Sequence, residues 1–418
     1  MSDGNVDLAK DARARAYATP LAQLNPAQPA LFQNDTMWPI FERLRAEDPV
    51  HYTEEHEFGP YWSITKYNDI MAVDTNHQVF SSEGGITIVN QSGDQGPLPM
   101  FIAMDPPKHD VQRKTVSPAV SPMNLQVMEP LIRERAATIL DNLPIGEEFD
   151  WVDKVSMELT AMTLATLFDM PQVDRRKLTY WSDVTTASPG QGLIDTIEQK
   201  MQVFTEFHGY FTGLWNQRVN APPAGDLISM LAHGPDTRDM SPREFFGNVV
   251  LLTVGGNDTT RNTISGSILA LNQNPDQYKK LRENPGLIPS MVSETIRWQT
   301  PLAHMRRTAQ SDFELQGKTI KKGDKVVMWY VSGNRDEEVI DNPNAYIIDR
   351  ERPRTHISFG FGIHRCVGNR LAELQLKIIW EEILKRFPDI QLVAEPKRVY
   401  SSFVKGYTEM KVIIPSRV

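Results

Sequence analysis

The sequence predicts a mainly α fold with small β-sheets, an α+β architecture in one large domain or two, organised around a long, kinked central helix. Three observations point there. From residue 124 to about 237, apolar residues recur at three- and four-residue spacing in segment after segment, and Pro144, Pro171, Pro189-Gly190 and Pro222-Pro223 separate the segments. Residues 241–271 carry the longest such run, with Gly255-Gly256 in its middle. Strand-like segments are short and bounded by glycine or proline, at 51–65, 302–330 and 399–407.

Composition bounds the function. With 418 residues, 40% of them apolar, the chain can bury a large core. A net charge of −9 argues against a nucleic-acid surface, which draws most of its affinity from basic stripes. The single cysteine, Cys366, excludes an intrachain disulfide scaffold. Residues 1–33 are polar and lack the apolar core of a signal peptide, and no membrane-spanning run of about 20 apolar residues follows. These features predict a cytoplasmic protein with no membrane span.

Taken in order, residues 1–34 are expected as a loosely held arm and residues 35–418 as the folded domain. Ile40, Phe41 and Leu44 share a face, which predicts a helix over 37–47 ending before Pro49. Residues 51–65 alternate around Gly59-Pro60 and predict a hairpin, and 67–80 returns to helix. Residues 81–100 have weak periodicity and run into the apolar stretch 100–104, which reads as a mobile flap over a pocket. The Pro106-Pro107 start of the next helix puts His109 and Arg113 on one face, as a solvated pair or as ligands.

Helices are predicted over 125–143, 152–169, 174–182, 193–219 and 227–231, with their aromatic residues assigned to core packing. Ser241, Pro242 and Glu244 form the start signal of the long helix. Its glycine pair costs about 1 kcal/mol per residue relative to alanine. Either residues 255–258 form a turn between two helices, or Thr259 bonds back to the Gly255 carbonyl and bends a continuous one. Glu294 and Arg297, three apart on a helix over 291–299, are neighbours that alone would make a weak surface ion pair. Strands are expected over 302–307, 313–315, 319–320 and 325–330, completing one small sheet with turns at Gly317 and Gly323, and a hairpin over 399–407.

Around Cys366 the stretch 359–368 reads F-G-F-G-I-H-R-C-V-G, followed by a helical run from Leu371. A lone cysteine is usually an inert buried hydrophobe. Here glycines permit sharp turns, basic His364 and Arg365 flank the thiol, and a helix start follows; such surroundings favour thiolate.

This stretch resembles the cysteine-ligand loop of the cytochrome P-450 superfamily, the haem-thiolate monooxygenases. Further matches extend the resemblance over roughly residues 35–415: D-P-P-x-H-x-x-x-R at 105–113, G-G-N-D-T at 255–259, E-x-x-R at 294–297 and R-x-A at 307–309. It implies a single cytochrome P-450-type haem-thiolate fold binding haem b (iron protoporphyrin IX). Cys366 is then the iron ligand, and His109, Arg113, Arg307 and His364 are propionate ligands, with Arg306 a close competitor of Arg307. Phe359 belongs to the haem-binding loop, and His356 fits the wider pattern, if only to hold the loop together. Asp258 and Thr259 are implied as the proton-delivering acid and alcohol. Glu294, Arg297 and Arg350 are implied as a structural set, although the usual proline near Arg350 is missing. Phe101, Ile102, Val254, Gly255, Leu302 and Phe403 would line the substrate pocket, and none of them offers a charge.

The wording of these segments is similar to soluble bacterial monooxygenases that hydroxylate alkanes or fatty acids at the terminal carbon. The implied reaction inserts one atom of O2 into a terminal C–H bond of an apolar small molecule. No G-x-G-x-x-G dinucleotide signature occurs, so electrons are expected from an iron–sulfur ferredoxin and its NAD(P)H-dependent reductase. Lys108, Lys114, Arg365 and Arg370 are a candidate basic dock for that partner, or simply solvated side chains. Alternatives are a hydroxylase of a terpene or steroid, a non-catalytic haem-binding sensor, and a cysteine hydrolase pairing Cys366 with His364.

Overall fold

The computed structural model describes residues 3–90 and 96–418. Residues 91–95, within the expected flap, and 1–2 lie outside the described residues. Helices dominate and the sheets are small. The chain groups into two compact units, each assembled from three stretches.

The first unit comprises Met1–Pro97, Gly266–Cys366 and Glu395–Thr408. Its centre is a five-stranded sheet in the order Val50–Thr53, Tyr61–Ile64, Lys325–Met328, Met305–Ala309, Phe80–Ser81. Val50 opposes Ile64 in the predicted hairpin, Trp62 runs parallel beside Val326, and Met305 opposes Met328. The two-residue period of a strand sorts the side chains. Val326 and Met328 join one apolar cluster with Ile70, Val73 and Phe80; Val327 and Trp329 join another with Phe32 and Phe41.

The expected single sheet over 302–330 is corrected on two points. Phe313–Leu315 and Lys318–Ile320 form a separate ribbon, joined by Gln316 and Gly317 at φ 50° and 72°. The outer strands instead pair into the five-stranded sheet, and Leu302 makes only an isolated bridge to Val404. At the tail, Lys397–Arg398 pairs with Tyr407–Glu409, so 399–406 is mostly the connecting loop.

The arm expected to be loose is a helix, Asp3–Ala18, packed on Trp38–Glu47. Ala12 and Ala16 are buried, Arg43 donates to the carbonyls of Ala16 and Thr19 at 2.7 Å each, and Arg13 meets Glu42 at 2.8 Å. Capping carbonyls from a neighbouring helix need no amphipathic stripe, and none announces this helix in the sequence. The next predicted helix is shorter than 67–80: it spans Tyr67–Asp74 and yields to the strand at Phe80.

The second unit comprises Leu98–Ser265, Val367–Ala394 and Glu409–Val418. Pro122–Asp141 packs on Asn369–Arg386, with Arg133 reaching Glu129, Glu381 and Glu382 at 2.7 to 3.1 Å. The predicted helix over 152–169 opens as a π-helix, Val152–Met157, and continues as Glu158–Leu167. Arg175–Thr186, Ile197–Val219 and Leu227–His233 follow, and Trp181 stacks on Phe207 with centroids 4.6 Å apart. Thr196 and Gln199 form a full capping box on the second of these.

The long helix Pro242–Gln273 runs through Gly255-Gly256 without interruption, so the turn reading is rejected. Three of its glycines sit where a Cβ would crowd a neighbour, Gly266 among them at 2.3 Å from Gln299 Oε1. A Cβ on Gly247 would lie 1.8 Å from the Pro99 carbonyl oxygen, and one on Gly256 would lie 3.0 Å from Leu164. A helix missed in the sequence, Pro275–Glu283, follows directly. Among the described residues no helix is long and apolar enough to cross a membrane.

Candidate haem-thiolate site

The cysteine loop lies in the first unit. Gly360 and Gly362 adopt φ of 64° and 66°, where side chains are strained, and a Cβ on Gly362 would lie 2.6 Å from the Asp74 carbonyl oxygen. Residues 362–364 form a 3-10 turn, and the Cys366 N–H donates to the Phe359 carbonyl at 2.8 Å. The Cys366 thiol is exposed, His364 is buried and Phe359 is half-buried. The Phe359 ring packs on His356, whose pKa is pushed down to about 3 by burial and then by Arg297, Arg365 and Arg354. A neutral His356 in such a place packs the loop.

Asp74, which ends the helix Tyr67–Asp74, holds this loop from behind. One oxygen accepts the Phe361 N–H and the Tyr330 hydroxyl, both at 2.8 Å; the other accepts Arg307 at 2.8 Å. Burial, with the Asp74 charge, drives the Tyr330 hydroxyl far above its ordinary range. Arg307, expected at a propionate, donates here to that buried carboxylate and also to the Arg306 carbonyl at 2.9 Å. Arg306, its competitor, is buried, with its Nε lacking a hydrogen-bond partner among the described residues.

Glu294 gathers three groups. Arg297 donates to both its oxygens at 2.8 Å, Arg350 donates at 2.9 Å, and the Ile347 N–H at 2.8 Å. Arg297 and Glu294 are at most 1% exposed, so this is no surface pair. Arg297 also donates to the carbonyls of Asn334 and Pro343, tying residues 334–345 to the helix Ile288–Gln299. Leu302 and Phe403 are half-buried in the same unit, joined through Ala303 N–H to Phe403 O at 2.8 Å. His304, unassigned from sequence, clamps them: Nδ1 meets Ser402 O at 2.9 Å and Nε2 accepts the Ile88 N–H at 3.2 Å. Burial pushes its pKa down to about 4, which fits this neutral tautomer.

The second unit carries the remaining candidates. Phe101–Ala103 is a 3-10 turn whose Phe101 N–H donates to Asn248 of the long helix at 2.9 Å; Phe101 is buried and Ile102 half-buried. His109 and Arg113 stand on Lys108–Val116; His109 is buried with Nδ1 2.8 Å from Asp110, and Arg113 is half-buried. Val254 is half-buried and Gly255 exposed, and a Cβ on Gly255 would meet nothing within 4 Å. Thr259 donates to the Gly255 carbonyl at 2.7 Å, the back-bond its spacing allows.

Asp258 is fully buried in a polar cluster. Its Oδ1 accepts from Ser182 at 2.9 Å, Asn257 at 3.0 Å and Arg261 at 3.0 Å, and Arg261 also reaches Asp183 at 2.7 Å. Its Oδ2 has no hydrogen-bond partner among the described residues. Burial pushes its pKa up to about 6 against the pull of Arg261. A carboxyl poised there can hold or release a proton near neutrality. Arg261, Ser182 and Asp183 were not found from sequence. Arg261 had a signal, its three-residue spacing from Asp258 on one helix; the other two had none.

The donor set suits a porphyrin iron better than a bare ion. Cys366 offers one exposed thiol, while no cluster of three or more His, Cys, Asp or Glu able to hold a metal occurs among the described residues. The four basic dock candidates are all exposed, and Lys108 is paired with Glu244 at 3.0 Å.

Comparison with known proteins agrees. The model of the cytochrome P450 family matches residues 286–405, which hold Glu294, Arg297, Arg350 and Cys366. Linalool 8-monooxygenase of Pseudomonas putida is 36% identical over 397 residues, covering 92% of this chain and 97% of that one. A methyl-branched lipid omega-hydroxylase of Mycobacterium tuberculosis is 31% identical over 386 residues, covering 89% and 90%. The structure of cytochrome P450-153 from Novosphingobium aromaticivorans superposes with a TM-score of 0.87 at 46% identity, covering 93% of this chain and 98% of that one. The chain belongs to the cytochrome P450 family of monooxygenases, which bind haem b through a cysteine thiolate.

Proposed function

We propose that this monooxygenase hydroxylates the terminal methyl of a medium-chain alkane or fatty acid, taking electrons from an iron–sulfur ferredoxin and its NAD(P)H-dependent reductase. The observation that carries the reading is the character of the candidate lining: Phe101, Ile102, Val254, Leu302 and Phe403 are apolar, and none supplies a charge to anchor a polar substrate. The likeness to a lipid omega-hydroxylase supports terminal attack.

Bound haem b supplies the binding and reductive activation of dioxygen. In this reading Cys366 is its thiolate ligand, donating electron density to the iron. His109, Arg113, Arg307 and His364 neutralise the propionates, with Arg306 a close competitor of Arg307. Asp258 stores a proton, and the Thr259 hydroxyl, turned from the Gly255 carbonyl, presents one. The apolar lining excludes water and aims the terminal methyl. Lys108, Lys114, Arg365 and Arg370 form the basic dock for the ferredoxin.

Product analysis with a panel of alkanes, fatty acids and terpene alcohols, under NADH with a ferredoxin and reductase, tests the assignment. Terminal alcohols from the straight chains support it. Turnover confined to terpenes would favour the second reading, a terpene hydroxylase, which the likeness to linalool 8-monooxygenase suggests.

A further inference from the structure

A cavity of about 270 Å³ lies within the first unit, away from the cysteine loop in sequence and in lining. Two indoles, Trp38 and Trp298, form its walls, and two cations share them. The Arg335 guanidinium sits 4.5 Å from the Trp38 ring centroid and 5.4 Å from that of Trp298; the Lys405 ammonium sits at 5.6 and 5.7 Å from the same rings.

Both cations are buried, at 6% and 8% exposure, and neither has a carboxylate within ion-pair distance among the described residues. Lys405 donates only to the Gln299 carbonyl at 3.0 Å; Arg335 has only two long contacts to carbonyls, at 3.4 Å each. The acids nearby are engaged elsewhere. Glu42 is held by Arg13 at 2.8 Å and Glu395 holds Arg398 at 2.6 Å. Asp35, in the cavity wall, accepts the Trp38 indole N–H at 2.9 Å and lies 3.7 Å from Arg398, beyond ion-pair distance of Arg335 and Lys405. Burying an ionised group without a counter-charge is unfavourable. The strain shows in both groups. Burial, then Arg297, brings Arg335 down to about 9; burial, then Arg335 and Arg398 against the pull of Asp35, brings Lys405 down to about 7.

An oxyanion between Arg335 and Lys405 would supply the missing charge, and the indoles would cover an apolar remainder. We propose that this cavity is an anion-binding site for a small phosphate- or carboxylate-bearing molecule, held by Arg335 and Lys405 between Trp38 and Trp298. The site is separate from oxygen chemistry and independent of the choice of hydroxylation substrate.

The test uses the haem-loaded protein at constant ionic strength, titrated with inorganic phosphate, with succinate, and with chloride as control. Tryptophan fluorescence and calorimetry follow binding, and the melting temperature follows stabilisation. Wild type is expected to bind phosphate or succinate saturably, with a rise in melting temperature that chloride does not give. Whichever of the two binds identifies the oxyanion. Lys405→Met is expected to weaken binding by roughly tenfold or more, to melt no lower than wild type without anion, and to keep the reduced-CO spectrum. Arg335→Met serves as the second variant should Lys405→Met fail to fold. Equal responses to all three salts in wild type, or binding that survives both substitutions, would overturn the proposal.

Discussion

Asp74 and Arg307 form a 2.8 Å ion pair whose side chains are 1% and 3% exposed, and the same carboxylate receives Phe361 N–H and Tyr330 OH from beside the cysteine loop. One acid thus fixes the backbone five residues before Cys366. Removing its charge leaves a buried guanidinium uncompensated. Asp74→Asn should lower unfolding free energy by about 3–5 kcal/mol. It should also shift part of the reduced-CO absorbance away from the thiolate position. Chemical denaturation and the spectrum read these two effects, and Asp74→Asn with Arg307→Met should recover part of the stability.

Asp258 and Thr259 are expected to act on protons rather than on structure. Thr259→Ala loses only a back-bond to Gly255, so haem content should stay full while electrons divert to hydrogen peroxide. The ratio of product to NADH consumed is the readout. Asp258→Asn should slow product formation by about 10²-fold, the lower end of what proton transfer contributes. Because burial raises the Asp258 pKa to about 6, its proton-bearing form declines as pH rises through 6. Coupling in wild type should fall across that window, and the asparagine variant should show no such inflection.

His304 links Ile88 and Ser402 as a neutral imidazole with a pKa near 4. The folded pKa lies below the unfolded value of about 6.5, so its contribution is present above pH 6.5 and is lost as pH falls toward 4. The loss should reach about 3 kcal/mol. His304→Gln keeps a donor and an acceptor but cannot titrate. Denaturation across this range should show a shallower acid loss in the variant than in wild type.

His109 and Arg113 share one face of Lys108–Val116, and His109 is buried. The double substitution to alanine should leave the fold in place but weaken haem retention. Haem transfer to apomyoglobin should run about tenfold faster or more, as loss of charge-assisted hydrogen bonds implies. An unchanged transfer rate would remove these two from the propionate set.

What the sequence revealed was local. The cysteine loop, the Glu294–Arg297 pair and the back-bond from Thr259 to Gly255 are spacings of ten residues or fewer, and glycine or helical periodicity makes them readable. Arg350 was placed with Glu294 by resemblance despite its missing proline, and it donates to that carboxylate at 2.9 Å. The partner of Arg307 lies 233 residues away in the chain, and no spacing announces it. The same holds for Ser182 and Asp183 around Asp258, and for the helix Asp3–Ala18, docked through Arg13 and Arg43 rather than an apolar stripe. The glycine pair misled in another way: it reads as a break, yet Gly256 faces Leu164 at a crowded crossing and the helix continues.

The most direct measurement is the reduced-CO spectrum of Cys366→Ser beside wild type, with turnover in parallel. Wild type should give the Soret position of a sulfur-ligated iron, and the serine protein should lose both that band and product formation. A serine variant that keeps the same band and the same turnover would contradict the assignment of position 366 to the iron.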